Sequence, residues 1–200
     1  MTLEDFWTLI HQSAAESSGQ DQRTEWLTAH LARLPVTEII EFELHLTAQR
    51  KRVDTRHMWG AAWNIFQGWC SDDSFWYFQP WLVGLGHDTF ERVAAHPDAL
   101  AETREVRRLA GRPRSQWADD EWPEWESMNY IALDAYDRAT GEEEGLEDAL
   151  EARGLYRICD APRTNAGTTT TSNNAAQGSL DSQNCWASTT PPLDRSDSTS

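Results

Sequence analysis

A chain of 200 residues with a formal net charge of −16 has room for one ordinary domain and repels phosphate backbones, which argues against a nucleic-acid partner. No run approaches the roughly 18 apolar residues needed to cross a bilayer, so no membrane partner is expected. The acidic start Met1-Thr2-Leu3-Glu4-Asp5 lacks the basic-then-apolar order of a secretory signal.

Apolar spacing predicts a first helix from Leu3 to about Glu16. Thr2 and Asp5 form a capping-box pair ahead of it, and Phe6, Trp7, Ile10 and Ala14 recur at helical spacing. A second helix follows Asp21, carries Trp26, Leu27, His30, Leu31 and Leu34 on one stripe, and is ended by Pro35. A third covers Thr37 to Arg52, with Ile39, Phe42 and Leu46 facing inward. Arg50, Lys51 and Arg52 close it, where the helix dipole favours cations. The fourth, Thr55 to Gln67, presents Trp59, Trp63 and Phe66 on one stripe, so Trp59 and Trp63 are expected in the core, as is Trp81 opposite them. Gly68 is expected to stop it.

Cys70-Ser71-Asp72-Asp73 opens a fifth helix that runs to about Leu85 and buries Phe75, Phe78, Trp81 and Leu82, with Gly86 as its C-terminal cap. A short helix over Thr89 to Ala95 ends before Pro97. From Leu100 to Pro123 the pattern weakens to a helical piece near Ala101 to Ala110 and a Pro- and Trp-containing loop. Glu124 to Thr140 reads as a helix burying Trp125, Met128, Ala132 and Tyr136. Leu146 to Arg153 is the last helix, and Leu155 to Cys159 is a candidate short strand.

After Pro162 the composition breaks. Residues 164–200 hold fifteen Ser or Thr, and only Leu180, Trp186 and Leu193 are large and apolar. Such a segment buries too little surface to offset its ordering entropy. The fold class is therefore mainly α: a compact helical domain of about six to eight helices over 1–162, followed by a disordered Ser/Thr-rich tail over 163–200.

Chemistry is most strongly suggested at Cys70, Asp72 and Asp73. A thiol and two carboxylates at a helix start are the candidate catalytic residues of a small hydrolase or metal-dependent enzyme. The plainer reading makes Ser71 or Asp72 the helix cap. The six histidines show no HExxH spacing, and P-loop, GxGxxG and GxSxG motifs are lacking, so no cofactor or resident metal is expected. Three cysteines, Cys70, Cys159 and Cys185, form neither a disulfide framework nor a CxxC pair, which points to reduced thiols in a cytoplasm. The basic run Arg104, Arg107, Arg108, Arg112 and Arg114 reads as a solvated helix face. Eleven tryptophans supply aromatic surface, and Ser71, Trp59 and Trp76 are the candidate binding residues.

The chain resembles bacterial proteins carrying the domain of unknown function 4240. The resemblance rests on Phe6-Trp7 with Ile10, then Trp59, Ala61-Ala62, Ile65, Gly68, Cys70-Ser71-Asp72-Asp73, Phe75, Phe78, Trp81-Leu82, Gly86 and Phe90, and finally Glu126, Tyr136 and Gly141. It covers about residues 1–155 and implies a small helical bacterial cytoplasmic domain, with no activity and no catalytic residue to carry over. The favoured function is a non-enzymatic accessory domain whose acidic, Trp-rich surface binds a protein or peptide. Neutralising a basic partner is one form this takes. The alternatives are the Asp72/Asp73 enzyme and a precursor of a ribosomally made modified peptide, with Thr168 to Ser172 and Cys185 in its C-terminal core. The sequence fixes no oligomeric state.

Overall fold

The computed structural model describes residues 1–143 and 145–155. The candidate strand at Leu155 to Cys159 reaches beyond them, and the expected tail over 163–200 lies outside the described residues altogether. Within them the chain forms nine α-helices joined by short loops and 3-10 turns, with no strand.

Helix α1 spans Leu3–Glu16. Its capping box is complete: Thr2 Oγ1 accepts from the Asp5 amide at 3.1 Å, and Asp5 Oδ2 accepts from the Thr2 amide at 2.9 Å. Helix α2, Gln20–Leu31, starts one residue before Asp21, behind Gly19. It packs on α1 and on α8, Ile131–Thr140. Helix α3, Val36–Val53, is the longest and packs on α8 and on α5, Asp72–Gly84. Its inner face is Ile39, Ile40, Phe42, Leu46 and Val53, all buried. Helix α6, His87–Ala95, follows α5 directly. The poorly patterned stretch is a 3-10 turn at Pro97–Glu102, the short helix α7 at Arg104–Leu109, and a loop. Helix α9, Gly145–Glu151, lays buried Leu146 and Leu150 against α8 and α3.

Three expectations require correction. Helix α4, Arg56–Ile65, buries Met58 and Ala62, while Trp63 is 50% exposed. The inward stripe is rotated by one position, about 100°, from the one the tryptophans marked. Trp59 remains at the rim of the core, stacked on Phe75 with ring centroids 4.1 Å apart; Trp81 is buried as expected. The residue that turns the chain after α4 is Gln67, not Gly68 alone. Gln67 has φ of +56°, its amide donates to Asn64 O at 3.1 Å, and the Gly68 amide donates to Trp63 O at 2.8 Å. That is the 6→1 and 5→2 pairing of a Schellman end. A non-glycine in this region needs compensation. Gln67 has one, since its Nε2 donates to Arg112 O at 2.6 Å.

The predicted helix from Glu124 is shorter than expected. The Trp125 amide donates to Tyr77 O at 2.9 Å, which ties this stretch to α5 and keeps it out of the helix. A 3-10 turn over Glu126–Tyr130 then leads into α8, and Gly141 ends that helix at φ of +75°. At Gly84 the close approach is obligatory, because a Cβ there would lie 2.6 Å from Trp125 ring atoms. Trp125 thus seats directly on the α5 backbone.

Candidate functional site

An open cleft of about 780 Å³ lies where the start of α2, the α4–α5 turn and the Asp119–Tyr130 segment meet. Trp69, Tyr77, Trp122, Trp125 and Tyr130 give it aromatic walls. Asp21, Asp119, Glu124 and Glu126 supply carboxylates, and no basic side chain lines it.

The base of the cleft is rigid. Trp125 is buried, and its Nε1 donates to Thr24 Oγ1 at 2.9 Å; Thr24 in turn shares a hydrogen bond with Ser127 at 2.9 Å. Behind the indole, 4.5 Å from its centroid, sits the Arg23 guanidinium. Arg23 donates to Ser13 Oγ at 3.2 Å, Gly84 O at 3.0 Å and Ile10 O at 3.3 Å. Burial pushes it down to about 10, so it remains a cation at neutral pH.

The acids of the cleft feel their surroundings. Burial raises Glu124 above the ordinary glutamate range; a hydrogen bond from Ser74 offsets part of that, and neighbouring Glu126 adds to it. Tyr77 is pushed up to about 12, first by burial, then by its hydrogen bond to Glu126 and by the charges of Glu126, Tyr130 and Asp73. A half-desolvated carboxylate beside further carboxylates is stabilised by any cation that enters.

The sequence-predicted site residues divide around this cleft. Ser71 caps α5, its Oγ accepting from the Ser74 amide at 3.0 Å. Asp72 and Asp73 occupy the exposed first turn, and Asp73 is near enough to Tyr77 to act on it. Neither aspartate lines the cleft, and no histidine does. Among the described residues no three His, Cys, Asp or Glu side chains are grouped to hold a metal ion. Cys70 is half-buried. Its thiol is pushed up to about 11 by burial, then by Glu124 and Asp72, the reverse of what a nucleophilic thiol requires. Neither Trp59 nor Trp76 lines the cleft. The Trp76 face is covered by Arg50, whose guanidinium carbon lies 3.5 Å from the ring centroid. Of the basic run, Arg104, Arg107 and Arg108 are exposed on α7, whereas Arg112 grips Glu121 in a two-pronged pair at 2.7 and 2.8 Å.

Trp69, Tyr77, Trp122, Glu124 and Tyr130 were not singled out from sequence. A signal existed in Asp119-Asp120-Glu121-Trp122-Pro123-Glu124-Trp125-Glu126, where acids and tryptophans alternate in a segment too irregular for a core helix.

Ser71→Ala is expected to cost about 0.5–2 kcal/mol in urea unfolding, because it strands the Ser74 amide. Asp72→Asn and Asp73→Asn should cost less. If Ser71→Ala is neutral while either Asn variant is the more damaging, the capping account is wrong.

Architecture and cleft define the class: an all-α domain bearing an open acidic and aromatic cleft. Among the described residues no helix is long and apolar enough to cross a membrane. The chain belongs to the family described as protein of unknown function (DUF4240), whose sequence profile matches residues 1–138. No curated protein and no solved structure matches it.

Proposed function

We propose that this chain is a non-enzymatic binding domain whose cleft takes a cationic segment of a protein or peptide partner. One observation carries the reading: four carboxylates and five aromatic rings converge on a cleft that no basic side chain lines. Lys and Arg side chains fit both features. Their charge compensates desolvated acids, and their flat or apolar parts lie on indole faces. The net charge of −16 steers such a partner inward over longer range. The same reading places the chain in a cytoplasm, where Cys70 stays reduced.

Titration with hexa-arginine and hexa-lysine amides by calorimetry, at low and near-physiological ionic strength, tests it. Both peptides should bind, more tightly at low salt. Glu124→Gln should weaken binding about tenfold and Trp69→Ala about two- to fivefold. Acidification should weaken binding of the wild type from above the ordinary glutamate range, because protonated Glu124 carries no charge for the ligand. The Gln variant should lose that part of the pH dependence. Peptides that fail to bind, or that bind indifferently to both substitutions, reject the cleft.

A further inference from the structure

We propose that Ser74 is a positioning residue of the cleft: its hydroxyl holds the Glu124 carboxylate in place for the incoming cation, and Ser71, the cap of α5, acts on Glu124 through it. The inference rests on the cleft being the binding surface. Ser74 and Glu124 both line the cleft, and Ser74 is buried. Glu124 is brought to the first turns of α5 by its neighbour. The Trp125 amide donates to Tyr77 O at 2.9 Å, which sets the preceding residue beside the helix. Ser74 lies three positions before Tyr77, on the same face of α5. The charge of Glu124 also reaches Cys70, just ahead of the cap.

The hydroxyl protons at this point run in a fixed order. The Ser74 amide donates to Ser71 Oγ at 3.0 Å, and the Ser71 hydroxyl donates to Ser74 Oγ at 3.1 Å. A serine hydroxyl has one proton to give. Ser71 gives its own to Ser74, and the Ser74 proton goes to Glu124. Each bond in such a chain polarises the next. The helix cap and the cleft carboxylate are therefore one hydrogen-bonded unit, from Ser71 through Ser74 to Glu124. A single hydroxyl takes up one of the roughly four lone-pair positions of a carboxylate, so the group stays open to a cation.

Glu124 depends on this donor because its other surroundings oppose its charge. Burial and Glu126 disfavour the ionised carboxyl, whereas Ser74 favours it. The other titratable groups around it are Asp21 from α2, Asp119 and Tyr130 from its own segment, and Cys70, Asp72, Asp73 and Tyr77 from α5 and the turn before it. None of them is a cation. The direction of a pH effect follows. Glu124 already titrates above the ordinary glutamate range, and loss of the Ser74 donor raises it further. The cation-binding form is then lost at a higher pH as the solution is acidified.

Two measurements on the full chain test the proposal: calorimetry with hexa-lysine amide as a function of pH, and NMR titration of the Glu124 carboxyl carbon, assigned with Glu124→Gln. The forms compared are wild type, Ser74→Ala, Ser71→Ala, Glu124→Gln and the double variant Ser74→Ala/Glu124→Gln, each checked by circular dichroism to be folded at every pH used. In the free protein the Glu124 titration should move to higher pH in Ser74→Ala and, by less, in Ser71→Ala. Ser74→Ala should bind the peptide about two- to fivefold more weakly at neutral pH and lose it at a higher pH on acidification. The double variant should bind as Glu124→Gln does, because Ser74 acts through that carboxylate. A Glu124 titration unmoved by Ser74→Ala, or a further loss of affinity in the double variant, overturns the positioning role, while wild-type binding leaves the cleft standing. A shift in Ser74→Ala with none in Ser71→Ala overturns the link to the cap. Failure of the wild type to bind overturns cleft and proposal together.

Discussion

Trp125→Ala is expected to destabilise the domain by about 3–5 kcal/mol, the range for emptying a packed aromatic site. The indole is buried, rests directly on the α5 backbone at Gly84, and supplies the only N–H that its ring can give to Thr24 Oγ1. Collapse into the space is hindered, because one wall is helix backbone and another is the Arg23 guanidinium. Urea unfolding followed by far-ultraviolet circular dichroism gives the number, with an unchanged m-value showing that only stability moved. Trp125→Phe separates the two contributions. It keeps most of the packing and should lose about 0.5–1.5 kcal/mol for the hydrogen bond. A loss below about 1 kcal/mol in the Ala variant would place Trp125 in a site that relaxes freely, contrary to the geometry.

Arg23→Met should cost about 1.5–3 kcal/mol, the range for hydrogen bonds to a charged group. Arg23 joins three elements: Ile10 O and Ser13 Oγ on α1, its own helix α2, and Gly84 O at the C-terminal end of α5. The last contact sets a cation against the negative end of a helix dipole. Burial works against this arrangement, as the lowered guanidinium pKa records. The sign of the experiment therefore decides which contribution dominates. Met matches the apolar stem and removes the charge. If desolvation outweighs the hydrogen bonds, Arg23→Met gains stability, as exchanges of buried ions for apolar groups sometimes do. We expect the loss, because Gly84 O would be left without its donor. Arg23→Lys, with a point charge in place of a fork, should recover only part of it. Since Arg23 and Trp125 touch, their double variant should depart from additivity, by about 0.5–3 kcal/mol.

Most helices could be read from sequence because their ends are chemically marked. Thr2 with Asp5, Ser71, and Gly141 each perform the capping task that their residue type suggests. The inner face of α4 was misread because two stripes, one of tryptophans and one of Met58 and Ala62, fit the same period. The tryptophans offer the larger apolar area, yet Met58 and Ala62 are the pair that is buried. The start of the helix expected at Glu124 was misplaced because a tertiary hydrogen bond, Trp125 to Tyr77, outcompetes local propensity. The cleft was least legible. Its walls come from residues 20–21, 69–77 and 119–130, brought together only by packing of α2 and α5 around Trp125. Ser71, Asp72 and Asp73 drew attention to one edge of it, whereas Trp59 and Trp76 pointed elsewhere.

The packing of α9 has a consequence for where the self-sufficient folding unit ends. The family profile stops at residue 138, inside α8, yet α9 begins only a few residues later and covers α8 with Leu146 and Leu150. The fit is close: a Cβ on Gly145 would come within 2.8 Å of Tyr136 Cε1. A fragment cut at the end of the profile match would remove the last two residues of α8 and wet the apolar face that α9 covers. The packed domain therefore extends past the end of the profile match, and Leu146 and Leu150 of α9 belong to its hydrophobic interior.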